Sequence, residues 1–319
     1  MSEFRYSKYY YRPKKRKKKV FIIFFILLLI GGAAFCSFFF LDFYRIYKDI
    51  VDFYRVSFND YRFLQKNLDS GNYNVVILEG IPYLQKKPYN SQLLRYIGEA
   101  YYYISSGLTG EEKEESIEKA IMYLRKGITL SAFDDILTKT YYILGMSYFK
   151  KGLGYYELAA SYLGKALNQG YTDDSIYEIM GYSYFKLGAH DDAIQYLGRA
   201  KAVSEKDIVL LFLAHAYRNK GQYESARSEL EGLVKKSRDD AILEEAHAAL
   251  AWIDFQEERY ERARENLKRV FELNENSADA HYLYGNIFEK EGDLISARKE
   301  WRLALKIDPK HIGAIEKLY

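Results

Sequence analysis

Between residues 57 and 311, small residues return at a near-constant spacing inside segments whose apolar pattern is helical. Units beginning at 91, 138, 174, 207, 244 and 278 carry Gly98, Gly145, Gly181, Ala214, Ala251 and Gly285 at their eighth position. Three residues on stand Tyr101, Tyr148, Tyr184, Tyr217 and Phe288, with Asp254 as the exception. Glycines then mark a turn at Gly152, Gly188, Gly221 and Gly292. A second helical stretch follows, with Ala120, Ala159, Ala193, Ala226, Ala263 and Ala297 at one shared place. Two antiparallel helices approach closely only where the crossing side chains are small. The cost of a mid-helix glycine, up to ~1 kcal/mol relative to alanine, is then offset by packing. A weaker unit begins at 57, with Leu64 in the small-residue place but Gly71 and Pro88 retained.

The last unit, "YGNIFEKEGDLISARKEWRLALKIDP", resembles the tetratricopeptide repeat family, whose unit is a helix-turn-helix of about 34 residues. The resemblance implies an all-α chain, an α-solenoid of seven hairpins over 57–311 with units starting at 57, 91, 138, 174, 207, 244 and 278. It also implies that the first helix of each hairpin lines a concave groove that binds a protein or peptide partner. On that face, candidate groove residues are Tyr142, Met146, Phe149, Tyr182, Phe185, His215, Trp252, Phe255, Tyr282 and Asn286. Aromatics and Met anchor a partner with large contact area at low entropic cost. Members that clamp a terminal carboxylate use Lys and Asn in successive repeats. Only isolated pieces of that set occur here, such as Lys139 and Asn286, which disfavours a co-chaperone of that kind.

Three stretches depart from the period. Ser105 to Ser116, "SSGLTGEEKEES", reads as an inserted, solvated loop or lengthened turn. Residues 312–319 read as a short C-terminal capping helix with Ile312, Ile315 and Leu318 on one face. Residues 42–56 carry Phe43, Ile46, Ile50, Phe53 and Tyr54 at helical spacing, which predicts a juxtamembrane amphipathic helix.

Ahead of these, Val20 to Leu41 runs without a charge, long enough at ~1.5 Å per residue to cross a hydrocarbon core of about 30 Å. The run is too long for a cleaved signal peptide, and Phe35 before Cys36 is too bulky for a lipoprotein site. A single transmembrane helix over 20–41 in contact with the lipid bilayer is therefore expected. The basic run Lys14, Lys15, Arg16, Lys17, Lys18 and Lys19 predicts that the tail, 1–19, stays in the cytoplasm. Everything after Leu41 is then extracytoplasmic, and a periplasmic domain on a bacterial inner membrane fits.

Charge narrows the partners further. The net charge of +3 comes from the tail, because residues 1–19 hold nine basic residues against Glu3 alone. The rest is mildly acidic, which argues against nucleic acid. The single cysteine excludes an intramolecular disulfide. The five histidines fall on different units at no metal-ligand spacing. His247 and His281, at one shared position, read as core packing. No phosphate loop or nucleophile elbow occurs, so neither enzyme activity nor a cofactor is expected. The resulting expectation is a membrane-anchored interaction scaffold that organises an envelope complex. Two alternatives stay open: a self-associating (homo-oligomeric) subunit of a periplasmic assembly such as a flagellar-motor collar, and an organelle-surface receptor with cytosolic repeats.

Overall fold

The computed structural model describes residues 61–132 and 137–319. The expected tail 1–19 with its basic run, the membrane span 20–41 and the helix 42–56 lie outside the described residues. Among the described residues, no helix is long and apolar enough to cross a membrane. Contacts divide the chain after Asp69. Of the first part, residues 61–69 are helical.

The second part, Ser70–Tyr319, is a succession of helices: α1 Tyr73–Lys86, α2 Ser91–Ile104, α3 Gly110–Thr129, α4 Thr138–Lys151, α5 Tyr156–Asn168, α6 Ser175–Lys186 and α7 His190–Val203. It continues with α8 Asp207–Asn219, α9 Tyr223–Lys236, α10 Asp240–Gln256, α11 Tyr260–Leu273, α12 Ala278–Lys290, α13 Leu294–Ile307 and α14 Ile312–Leu318. Each pair from α2/α3 to α12/α13 packs as a hairpin, and each hairpin packs on the next, as in a helical solenoid.

One contact recurs at the crossing of these hairpins. A Cβ built on Gly145 would sit 2.7 Å from Leu163 Cγ, and one on Gly181 would sit 2.6 Å from Leu197 Cγ. On Gly98 it would meet Leu124 Cγ at 2.7 Å, and on Gly285 it would meet Trp301 Cδ1 at 2.5 Å. The glycines are small because a leucine or tryptophan of the second helix already fills the place of a Cβ. Immediately before each leucine stands a tyrosine that stacks on the eleventh-position tyrosine of the first helix. The centroid distances are 5.8 Å for Tyr101–Tyr123, 5.7 Å for Tyr148–Tyr162 and 5.3 Å for Tyr184–Tyr196. In the 244 unit a hydrogen bond takes the place of the stack, Asn266 Nδ2 donating to Asp254 Oδ2 at 3.0 Å. Asp254 is buried and also pairs with Arg227 of the preceding hairpin at 2.8 Å.

The turn glycines behave as expected, with φ of 78° at Gly152, 74° at Gly188, 73° at Gly221 and 88° at Gly292. The equivalent residue of the 244 unit is Glu258, which takes φ of 58° without the freedom of glycine. Across successive hairpins, ion pairs join residues about one repeat apart, among them Lys201–Glu229 at 2.8 Å, Lys206–Glu178 at 2.7 Å and Lys220–Asp191 at 2.7 Å. Such exposed pairs contribute little each, so the buried crossings carry the stability.

Three local expectations are corrected. The stretch 105–116 is not a loop: Ser105–Gly107 is a 3₁₀ turn, and from Gly110 onward the residues lengthen α3. Glu111 and Glu112 in its first turn complement the helix dipole, which favours helix over loop. His247 and His281 are half-buried and do more than pack, although the His281 ring does lie 4.7 Å from Phe271. Their Nδ1 atoms bond across the hairpin to Asn266 Oδ1 at 2.9 Å and Glu300 Oε2 at 2.7 Å. In α14, Ala314 and Leu318 pack on Trp301, Tyr282 and Phe288, whereas Ile312 is 72% exposed. Gly313 lets the backbone press beneath the Tyr282 ring, so the docked face is shifted from the one the apolar pattern gives.

Three outcomes follow from these contacts. Gly285→Leu drives a side chain into Trp301 and should cost about 1–3 kcal/mol, seen as a lower thermal midpoint; an unchanged melt removes the crossing argument. Glu258→Gly should stabilise by about 1 kcal/mol by relieving the left-handed backbone, read by chemical denaturation. Burial raises the hydroxyl pKa values of Tyr101, Tyr148 and Tyr184 above the ordinary tyrosine value. Their neutral form is therefore favoured by folding, so its contribution is intact below about pH 10 and is lost as pH rises beyond it. Thermal midpoints from pH 8 to 11 should fall along with the growth of phenolate absorbance.

Candidate partner-binding groove

The packing of like helices decides which side of the hairpin stack is the inner one. Neighbouring first helices touch, α2 with α4, α4 with α6, α6 with α8, α8 with α10 and α10 with α12. The second helices make no contact of comparable extent with one another among the described residues. The first helices are thus crowded together and the second helices splay apart, which puts the first helices on the concave side.

The predicted groove residues fall into two groups along that side. The first runs from Tyr142 to His215. Tyr142 stacks on Tyr171 at 4.3 Å and its hydroxyl lies 3.2 Å from Ser175 Oγ. Phe149 meets Tyr182 edge-on at 5.5 Å, Tyr182 meets Phe212 at 4.6 Å, and Phe212 meets Phe185 at 5.3 Å. Met146 lies partly buried against the same apolar clusters. His215 is buried, with Nε2 3.1 Å from Glu245 Oε1. These rings occupy one another across three hairpins, and so a large part of this aromatic surface is spent on packing repeat against repeat. Phe212 and Tyr171 are essential to this row. Phe212 stands at the sixth position of its unit, hidden in the continuous apolar run "IVLLFLA", and Tyr171 lies between helices, so neither matches the positions used to find the groove.

The second group surrounds an open cleft of about 610 Å³ between α8, α10, α12 and the start of α14. Trp252, Phe255, Tyr282 and Asn286 all line it, together with Arg218, Glu244, Glu245 and His311. The three aromatic side chains are partly buried, Trp252 meeting Tyr223 at 5.9 Å, Phe255 meeting Tyr260 at 6.0 Å and Tyr282 meeting His311 at 4.8 Å, and each lines the cleft. Asn286 is buried, and its Oδ1 accepts from Trp301 Nε1 at 3.1 Å, which fixes the tryptophan that fills the Gly285 crossing. Arg218 lies over the Trp252 ring at 5.3 Å, and burial pushes its guanidinium pKa below the ordinary arginine value. The hydrogen bond from His215, aided by Arg218, holds Glu245 below the usual carboxylate range. Glu244 and Glu245 reach the cleft because α10 begins early, capped by Asp239, whose carboxylate accepts from Ala241 N at 2.9 Å and Ile242 N at 3.2 Å. Among the described residues no His, Cys, Asp and Glu cluster could hold a metal ion.

Comparison with known proteins places this geometry. A tetratricopeptide repeat family model matches residues 174–207, and the model of the tetratricopeptide repeat protein 21 C-terminal ARM domain matches residues 200–315. The human Superkiller complex protein 3 is 28% identical over 126 residues, which span 39% of this chain but only 8% of that protein. Among solved structures, the C-terminal part of a TPR repeat-containing protein from Cytophaga hutchinsonii aligns with a TM-score of 0.55 and 18% identity, over 81% of this chain and 99% of that one. Pseudomonas aeruginosa pilF aligns with a TM-score of 0.50 and 17% identity, over 69% of this chain and 95% of that one. The two structures share the fold, and the family matches identify tetratricopeptide-type repeats within residues 174–315.

Proposed function

We propose that this protein is an interaction scaffold whose first-helix face holds a segment of a partner protein, with the cleft around Trp252 as the main anchor. The observation that carries the reading is that Trp252, Phe255 and Tyr282 border an open cleft without filling it. An aromatic wall left partly open to solvent, beside polar groups that can orient a ligand, has the make-up of a binding hot spot. The row from Tyr142 to Phe185 extends the same face and offers secondary contact area. No chemistry is assigned to the protein in this reading. Membrane anchoring through 20–41 and an extracytoplasmic position of the hairpins complete the proposal, supported by the uncharged run and the basic residues before it. In that setting the chain organises an envelope complex at the membrane surface.

Placing a photoreactive amino acid at Trp252 in the full-length, membrane-resident chain tests the reading. A crosslink to one exported protein is expected, and Trp252→Ala, compared well below its own melting temperature because the ring also packs on two cores, should weaken that partner's binding by about 2 kcal/mol or more. Crosslinks to the chain itself alone would replace the scaffold reading with self-association. A partner bound equally well by Trp252→Ala would remove the cleft from the function.

A further inference from the structure

The carboxylates that border the Trp252 cleft each have a donor of their own. Glu244 Oε1 accepts from Asn274 Nδ2 at 2.9 Å, Glu245 Oε1 lies 3.1 Å from His215 Nε2, and Asp279 Oδ1 lies 3.0 Å from His311 Nε2. The cation of the cleft has no such partner. Arg218 is partly buried, yet among the described residues it forms neither an ion pair nor a side-chain hydrogen bond: the Trp252 ring lies 5.3 Å from its guanidinium, and the charge of Glu245 acts on it from beyond ion-pair distance. Elsewhere the protein does satisfy arginines of similar burial: Arg227 holds Asp254 and Glu257, Arg259 holds Glu257, and Arg264 holds Glu291.

A guanidinium taken partly out of water and lying over an indole keeps a planar fork of donors, matched to the two oxygens of a carboxylate. Partial burial beside the indole also restricts its side chain, so less freedom is lost when an acceptor arrives. We infer that Arg218 reads a carboxylate on the partner, carried next to a large apolar residue that enters the cleft between Trp252 and Tyr282. This rests on the groove proposed above and supplies its missing specificity. A basic segment fits less well, because it would set a second cation beside Arg218 and leave the partly buried guanidinium without an acceptor. A phosphate, with its charge of about −1.5 to −2, would be set against Glu244, Glu245 and Asp279, whereas one carboxylate brings a single negative charge to the one open cation.

Two random heptapeptide libraries, N-acetylated, one with amidated and one with free C-termini, test this on the full-length chain in detergent. Wild type should enrich Asp or Glu beside Phe, Leu or Trp in the amidated library, and a selected peptide should bind about tenfold more tightly than its Glu→Gln counterpart. Arg218→Gln should abolish that preference while keeping the apolar one, and Arg218→Lys, which keeps the charge but not the fork, should retain part of it. An acid preference confined to the free-acid library would place the same carboxylate chemistry at a chain terminus. Apolar binders without acid preference, or a preference unchanged in Arg218→Gln, overturn the inference and leave the groove standing. Binders indifferent to Trp252→Ala, or no binders from either library, overturn the groove reading and this inference with it.

Discussion

The approach of two helices at a glycine governs much else in the hairpins. Because Leu163, Leu197 and Trp301 fill the places where Gly145, Gly181 and Gly285 would carry a Cβ, the register of second helix on first is fixed to within a side chain. That register sets the tyrosine before the leucine over the eleventh-position tyrosine. A contact of ordinary van der Waals size thus propagates to the inner face, since close-packed interiors do not deform continuously. The 244 unit shows how strict the geometry is. Its aromatic is replaced by Asp254, and the site remains occupied only because Asn266 and Arg227 satisfy the buried carboxylate.

Much of this was legible in the sequence, because a period depends on composition at fixed places and survives variation elsewhere. Gly98, Gly145, Gly181 and Gly285, the turn glycines and the alanines of the second helices all announce the hairpins before any coordinate is known. The illegible parts are those that depend on which neighbour a residue meets. His247 and His281 look like packing residues from their position alone, whereas the structure pairs them with Asn266 and Glu300 nineteen residues on. The 105–116 stretch looks like a loop because glycine and serine open it, yet its Glu-rich remainder is good helix sequence. In α14, the shift of the buried face to Ala314 is set by the Tyr282 ring over Gly313, which no spacing rule contains.

The candidate groove divides along the same line. The fifth, ninth and twelfth positions find Trp252, Phe255 and Tyr282, since those are surface positions of a regular helix. They do not reveal that the row from Phe149 to Phe185 is closed upon itself through Phe212, nor that His215 and Asn286 are buried in internal bonds. Identical residue types at identical positions therefore differ in what they have left to offer a partner.

That difference bears on where along the inner face the proposed partner would gain binding energy. A ring that already touches two neighbours gains little by touching a ligand, because most of its apolar area left water on folding and cannot be buried twice. Around Tyr182 the hairpins meet ring to ring. Around Trp252 the rings also have neighbours, Tyr223 beside Trp252, Tyr260 beside Phe255 and His311 beside Tyr282, but α10 begins early at Asp240 and the chain turns back at Gly313, and between them a cleft stays open. The early start of α10 also brings Glu244 and Glu245 to the rim, where their carboxylates are claimed by Asn274 and His215 while Arg218 rests on the indole. Open apolar area and a donor fork without a hydrogen-bond acceptor occur together there, and on their coincidence rests the proposed selection of a partner at the C-terminal part of the inner face.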